Sequence, residues 1–556
     1  MNAFKISNLL LILLQIEIAF NFKCGTSSLK KKPKLLKIES KIKGNSITKE
    51  STYTPIKIGY DFTLLTKPSS MPESTFETMK SILKEISIEF SKILQVQHLN
   101  IDLSGLSEDI IDGCFLSGIG IGYEKFLLDN DIIIFPMFDS SLESEALAAA
   151  APCLYTNDFR PLGGFLLINE NLNFNKINSN FYFKNVFLHE ITHILGFHYT
   201  VFSILNMVSN EESTSYITSP KVVEKAREHF NCHSLTRIPL ENQGGFENFG
   251  SHWESRYMLG DYMISTDYPD TTISDITLAL LEDTGFYKVN YYSGGLFKFG
   301  KDEGCEFFNK TCIDKTSEKA TSKEFCDTEG EFKCSYSRTL KSSCLLLSGL
   351  SIPSEYQYFS DITKGGYPES NYCPVPFEPH SNDVYFQNHC KYGTAKETFE
   401  KMGESSFCFM SSLSQNSNTD KLRPVCYEIS CNTKSKQIII TVGSTTVTCN
   451  KDGVANIPSN LKGKIECPKY DELCASSING KAYNDIYNVF TKKAENDGYS
   501  YAINENDGDI ISSTIIVEDE NEDDNENIIP FRTKRNNDYI IKINSIIIFS
   551  FLLLFY

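Results

Sequence analysis

The sequence predicts an α+β protein ending in a disulfide-rich, mainly β C-terminal domain. Three observations point there. An amphipathic helical stretch is followed by short apolar strand-like runs and then a second, apolar helix, a mixture that suits neither an all-α nor an all-β fold. Thirteen of the seventeen cysteines fall between Cys305 and Cys474, among short strand-like runs and turns. The apolar helix itself carries His-Glu-x-x-His, from His189 to His193.

Taken in chain order, Pro55 to Tyr60 alternates and reads as a strand. Pro72 to Val96 places Phe76, Met79, Leu83, Ile86, Phe90 and Ile93 at spacings of three and four, a core-facing helical stripe. Asp131 to Phe138 is a short buried strand, with Pro136 placing it at an edge or end. Phe165 to Asn169, after Gly163 and Gly164, reads as a further strand, and an open edge there would pair with an extended peptide. The second helix covers about 180–196, and Gly196 lets it stop or turn. Residues 197–250 mix helix and loop, with Pro220 to Phe230 as one helix. Thr277 to Thr284 is a short apolar helix ending before Gly285. Ile438 to Val442 is one of the short strands of the Cys-rich part.

Composition bounds the function classes. At 556 residues with 41% hydrophobic content the chain supports several globular domains. A net charge of −18 argues against a nucleic-acid partner. Clustered cysteines without any Cys-x-x-Cys pair point to disulfides in an oxidising compartment rather than to zinc knuckles. The ends agree: residues 1–20 read as a signal peptide, and the apolar tail 539–556 reads as a removed GPI-attachment signal or a single-span anchor. Residues 21–53 are a pro-segment or disordered lead-in, and 476–538 an acidic stalk around Glu518 to Glu526. The expected core divides into 54–200, 201–300 and the Cys-rich 301–475. Asn309-Lys310-Thr311 is a glycosylation sequon.

The chemistry centres on the helix. His189 and His193, four residues apart, lie on one face and aim two imidazoles at one point, a half-site for zinc. Glu190 is placed to take a proton from a water activated by the metal. A zinc site needs a third protein ligand and an open position. In the longer pattern His-Glu-x-x-His-x-x-Gly-x-x-His, Gly196 is in place but Tyr199 stands where the third His belongs, with His198 one residue short. His198 and His252 are therefore both candidates. Cys24 stands apart from the other cysteines; its thiolate suits the fourth zinc position in a latent precursor, or it pairs elsewhere or leaves with the leader. His98, His229, His233, His380 and His389 read as ordinary surface or core residues.

The order of segments resembles the leishmanolysin-type metalloproteases, a metzincin family that separates the glycine from the third His by a long insertion. The resemblance is carried by His189-Glu190-Ile191-Thr192-His193-Ile194-Leu195-Gly196-Phe197, by Ser251-His252-Trp253-Glu254, by Met263 eleven residues on, and by Thr277 to Tyr287. Arg160-Pro161-Leu162-Gly163-Gly164 upstream and Phe299-Gly300 to Gly304-Cys305 downstream add to it. Phe286 stands where the family frequently has Trp. The resemblance implies one zinc ion per chain held by His189, His193 and His252, with Glu190 as the catalytic carboxylate and Met263 packed beneath the metal. It implies a metzincin-like domain in two subdomains, with a cleft for extended peptide or protein substrates. It also implies a secreted or membrane-attached endopeptidase made as a precursor, Cys24 being the only candidate for a blocking cysteine. The alternative is a non-catalytic surface adhesin or coat protein on the same scaffold; the presence of Glu190 separates the two.

Overall fold

The computed structural model describes residues 53–101 and 130–474, with short interruptions, and the strand pairings of residues 23–24, 36–38 and 40–42. All belong to one compact unit, Met1–Ile516. The expected signal peptide, stalk and apolar tail lie outside the described residues. Among the described residues no helix is long and apolar enough to cross a membrane.

The functional helix rests on a six-stranded mixed sheet. Its strands are β1 (Lys23–Cys24), β2 (Leu36–Ile38), β3 (Ile58–Tyr60), β4 (Ile132–Asp139), β5 (Ala146–Thr156) and β6 (Pro161–Asn169). The order is β1-β5-β6-β4-β3, with β2 also on β5. β6 runs antiparallel to β5 and parallel to β4. Every residue of β5 and β6 is buried, so both faces of these strands are covered and the sequence is apolar throughout rather than alternating. β6 is central, flanked on both sides, and cannot take up a peptide as an open-edged strand would. The expectation that Phe165–Asn169 offers such an edge is corrected here: β5 stands between β6 and the outside, and β1 and β2 lie on the far side of β5.

Two prolines mark where this sheet is irregular. Pro136 of β4 lies past Ile132–Ile134, the only stretch paired with β3, so one flank of the strand has no named partner there. Pro152 of β5 faces Gly164 across a register shift in the β5–β6 pairing. A bulge tolerates the missing N–H that a regular ladder would not.

The stretch Pro55 to Tyr60 is not one strand. Tyr53–Pro55 pairs with Leu94–Gln97 in a separate sheet, and the chain crosses at Ile56 and Lys57 before joining β4 as β3. The crossing is pinned by Ile56 N–H to the Leu94 carbonyl at 3.0 Å and Lys57 N–H to Asp131 Oδ2 at 2.8 Å. Helix α1 (Glu73–Ile93) buries all six residues of the predicted stripe. It ends three residues before Val96 because Leu94–Gln97 turns extended and pairs on both sides, with Tyr53–Pro55 and Lys288–Val289.

Helix α2 (Ser179–Leu195) carries the His-Glu-x-x-His motif. Gly196 at φ +122° ends it, a conformation that side chains rarely adopt. Helix α3 (Tyr199–Ile204) starts at once, then α4 (Pro220–Phe230) and α5 (Asp275–Asp283) follow. Two buried clusters meet at α2. One gathers α1, the sheet and Phe183, Phe187, Ile191, Ile194 and Leu195 of α2. The other begins at Phe197, takes in Trp253, Met258 and Met263, and runs on to Phe377. Leu188 packs against both.

The C-terminal part is strand-rich, as expected. Ser406–Ser411, Arg423–Asn432, Gln437–Val442, Thr445–Thr448 and Ile465–Glu466 form a five-stranded antiparallel sheet with its own core. Seven disulfides are present among the described residues. Six lie within the Cys-rich region, and Cys232–Cys305 ties that region to the end of α4. Cys153 of β5 is also disulfide-bonded. Asn309 of the sequon is exposed.

Gly164 controls how closely α2 approaches the sheet. A Cβ there would stand 2.5 Å from Ile194 Cγ2 and 2.7 Å from the Ala151 carbonyl oxygen. Gly164→Ala is expected to push the helix off β6 and cost about 1–3 kcal/mol, the usual cost of overpacking. Thermal unfolding of the variant tests this; an unchanged midpoint would refute the close approach.

Candidate metal centre

Helical spacing brings His189 and His193 to the same face of α2, with their Nε2 atoms 3.0 Å apart. His252, from a segment 63 residues further on, places its Nε2 3.2 Å from that of His189. All three side chains are buried. Among the described residues they are the one group of three or more potential ligands whose binding atoms all lie within 4.8 Å of one another.

Main-chain carbonyls set the tautomers. His189 Nδ1 lies 2.6 Å from the Tyr262 carbonyl oxygen, and His193 Nδ1 lies 2.7 Å from that of Phe197. A carbonyl only accepts, so the proton sits on Nδ1 and each Nε2 presents a lone pair. Burial lowers the His189 pKa to about 4 against the opposing effect of the Tyr262 bond. Burial also holds His193 well below its ordinary value, with His189 and His252 adding to the effect. Both rings are thus neutral at pH 7, the form that binds metal.

The His189 and His193 lone pairs, packed this closely, repel unless a cation lies between them. Ligand atoms about 2.0–2.1 Å from a tetrahedral ion stand about 3.3–3.4 Å apart. The observed separations of 3.0 and 3.2 Å fit a zinc ion with little adjustment.

His252 is delivered by a buried segment. The Glu241 N–H donates to the His252 carbonyl at 2.9 Å, and the Trp253 N–H donates to the Met263 carbonyl at 2.9 Å. The Trp253 ring stands edge-on to Phe197, 5.2 Å between centroids. Tyr199, which replaces the third His of the contiguous pattern, donates its N–H to Ser251 Oγ at 3.1 Å. The residue that breaks the short pattern thus anchors the segment bearing His252. His198 is not in the cluster: its Nδ1 accepts the Thr200 N–H at 3.2 Å and caps α3.

Glu190 is buried, 1% exposed. With His189 it lines a small cleft open to solvent, walled by Leu147, Asn185, Val186, Tyr262, Ile264, Ser265, Thr266 and Thr271. Met263 is fully buried, and its N–H donates to Asp261 Oδ1 at 2.8 Å. Cys24 belongs to β1, opposite Ala148 of β5.

The remaining histidines have local partners. His98 bridges Thr54 and Asp131, His229 donates to the Phe299 carbonyl at 2.8 Å, and His389 Nδ1 accepts the Lys391 N–H at 3.0 Å. His233 is exposed, and His380 lies outside the described residues. Sequence reasoning missed Tyr262, Asp261 and Thr277. Tyr262 acts through a carbonyl, which leaves no mark on residue type; Asp261, two residues before Met263, was the available signal.

Three imidazoles gathered on and beside a His-Glu-x-x-His helix, with a buried methionine turn next to the third, define a metallopeptidase type of site. The family model for leishmanolysin, Peptidase_M8, matches residues 85–480. The chain belongs to the leishmanolysin family. It is 27% identical over 326 residues to a leishmanolysin homolog of Crithidia fasciculata, covering 52% of this chain and 48% of that one. It is 25% identical over 365 residues to leishmanolysin of Leishmania chagasi, covering 62% and 60%. A ciliated left-right organizer metallopeptidase of Danio rerio is 27% identical over 358 residues, covering 60% and 53%. The chain thus spans about half to three-fifths of the length of these relatives.

His252→Ala is expected to lose zinc, and His198→Ala to keep it at one ion per chain. Metal analysis of the two purified variants checks this; the reverse pattern would make His198 the third ligand.

Proposed function

We propose that this protein is a zinc endopeptidase hydrolysing protein or extended peptide substrates. The observation that carries the reading is the convergence of three buried Nε2 atoms at a spacing that suits zinc. His189, His193 and His252 would hold the ion. When bound, zinc lowers the pKa of a water and polarises the scissile carbonyl. Glu190 takes the proton from the attacking water and passes it to the leaving amine as the C–N bond breaks. Its place in the cleft wall beside His189 supports that role. Met263 would lie beneath the metal.

Family membership supports a secreted or cell-surface location. Residues 21–53 would be a pro-segment or lead-in, ahead of a catalytic region in two parts, 54–200 and 201–300, and the Cys-rich domain 301–475. Cys24 supplies a blocking thiolate in the precursor. The pairing of β1 with β5, a strand on which α2 packs, supports this.

Zinc content and cleavage of a general protein substrate, with and without chelator, test the reading. Glu190→Ala is expected to retain one zinc and lose about 10²–10⁴-fold in rate, the contribution typical of a general base. A variant that cleaves at the wild-type rate would refute the mechanism. Zinc without turnover in every form would favour a binding protein on this scaffold.

The latency proposal has its own measurement. Cys24→Ala is expected to show activity in the uncleaved chain where the wild type shows none. Equal activity of the two uncleaved chains would remove Cys24 from the site.

A further inference from the structure

We propose that Asp261 is a positioning residue that holds two of the three metal ligands, His189 and His252, in register with each other. The proposal rests on reading the three histidines as zinc ligands.

Asp261 is fully buried. Its Oδ1 accepts the Met263 N–H at 2.8 Å. Its Oδ2 accepts the Thr277 hydroxyl at 2.8 Å and the Ser274 N–H at 3.3 Å. Thr277 Oγ1 in turn accepts the indole N–H of Trp253 at 2.7 Å. An indole N–H only donates and a carboxylate only accepts, so the hydroxyl between them has one orientation. Burial pushes the Asp261 carboxyl up to about 6 against these donors, which leaves it ionised at neutral pH. Bonds to an ionised acceptor are stronger than neutral ones.

Two paths lead from this carboxylate to the centre. Through Thr277 it fixes the ring of Trp253, the residue directly after His252, whose own N–H is tied to the Met263 carbonyl at 2.9 Å. Through Met263 it closes the turn around Tyr262, whose carbonyl receives the Nδ1 proton of His189. His189 stands on α2 and His252 on a separate segment, so nothing local sets their separation. His193 is reached less directly: its Nδ1 partner is the Phe197 carbonyl, just past its own helix, and Phe197 meets the network through ring contact with Trp253. Outer groups of this kind typically change metal affinity by about 10–100-fold when removed.

The test compares the full-length wild type with Asp261→Ala, Asp261→Asn and Thr277→Val. Zinc transfer to a colorimetric chelator is timed below the unfolding midpoint of each protein. The visible spectrum of the cobalt-substituted form is recorded as a report of ligand geometry. Asp261→Ala is expected to release zinc about 10–100-fold faster and Thr277→Val about tenfold faster, both with altered cobalt bands. Asp261→Asn is expected to fall between Asp261→Ala and the wild type, since its amide oxygen still accepts the Met263 N–H while its NH2 cannot accept from Thr277 and Ser274 as Oδ2 does. If Asp261→Ala fails to fold, Thr277→Val decides by the same two readings. Wild-type release rates and an unchanged cobalt spectrum in the folded variants would overturn the proposal. A wild-type chain that takes up no metal would overturn the metal-centre reading beneath it, so the two failures are distinct.

Discussion

Two peptide carbonyls decide what the histidines of this protein can do. Those of Tyr262 and Phe197 take the Nδ1 protons of His189 and His193, and so turn both Nε2 lone pairs toward one point. Without them the rings would be free to flip or exchange tautomers, and burial would leave neutral imidazoles with no defined acceptor face. The two carbonyls have different origins. That of Phe197 exists because Gly196 breaks the helix and lets the next residue fold back. That of Tyr262 comes from a turn 73 residues away, which has to be held by packing.

That packing explains why α2 lies where two apolar clusters meet. One face of the helix is sealed against the sheet by Phe183, Phe187, Ile191 and Ile194. The chain leaving it enters the cluster that also holds Trp253 and Met263. A helix buried on one side only would let the His252 segment shift against it. Close-packed interiors transmit small displacements rather than absorbing them, so a sheet-side contact such as Gly164 against Ile194 bears on the metal centre.

The helices were legible because apolar period and breakers agree. Pro220 to Phe230 was read with its observed bounds, and the α1 stripe residue by residue. The site was legible in its paired histidines and in the segment around His252. β5 was not read at all: Ala-Leu-Ala-Ala-Ala-Ala-Pro has neither alternation nor β-branched residues, and its strand state comes from burial on both faces. The supposed free edge at Phe165–Asn169 failed for a related reason, since strand order depends on partners that a single segment does not encode. Pro55 to Tyr60 alternates correctly yet serves two sheets, and a local period carries no information on which neighbour each half will find.

The aromatic cluster around Phe307 gives the chain a property its segment order conceals. Phe307 stacks on Phe230 at 5.8 Å and on Phe325 at 5.7 Å, and Phe299 meets both Phe307 and Phe325 edge-on. These rings come from both sides of position 301, where cysteine density rises, and Cys232–Cys305 crosses the same point. A protease nick or a truncation there would not release two finished pieces; each half would carry away part of a shared interior. The segment that bears His252 thus shares one buried interior with the cysteine-rich region, and Cys232–Cys305 staples the two.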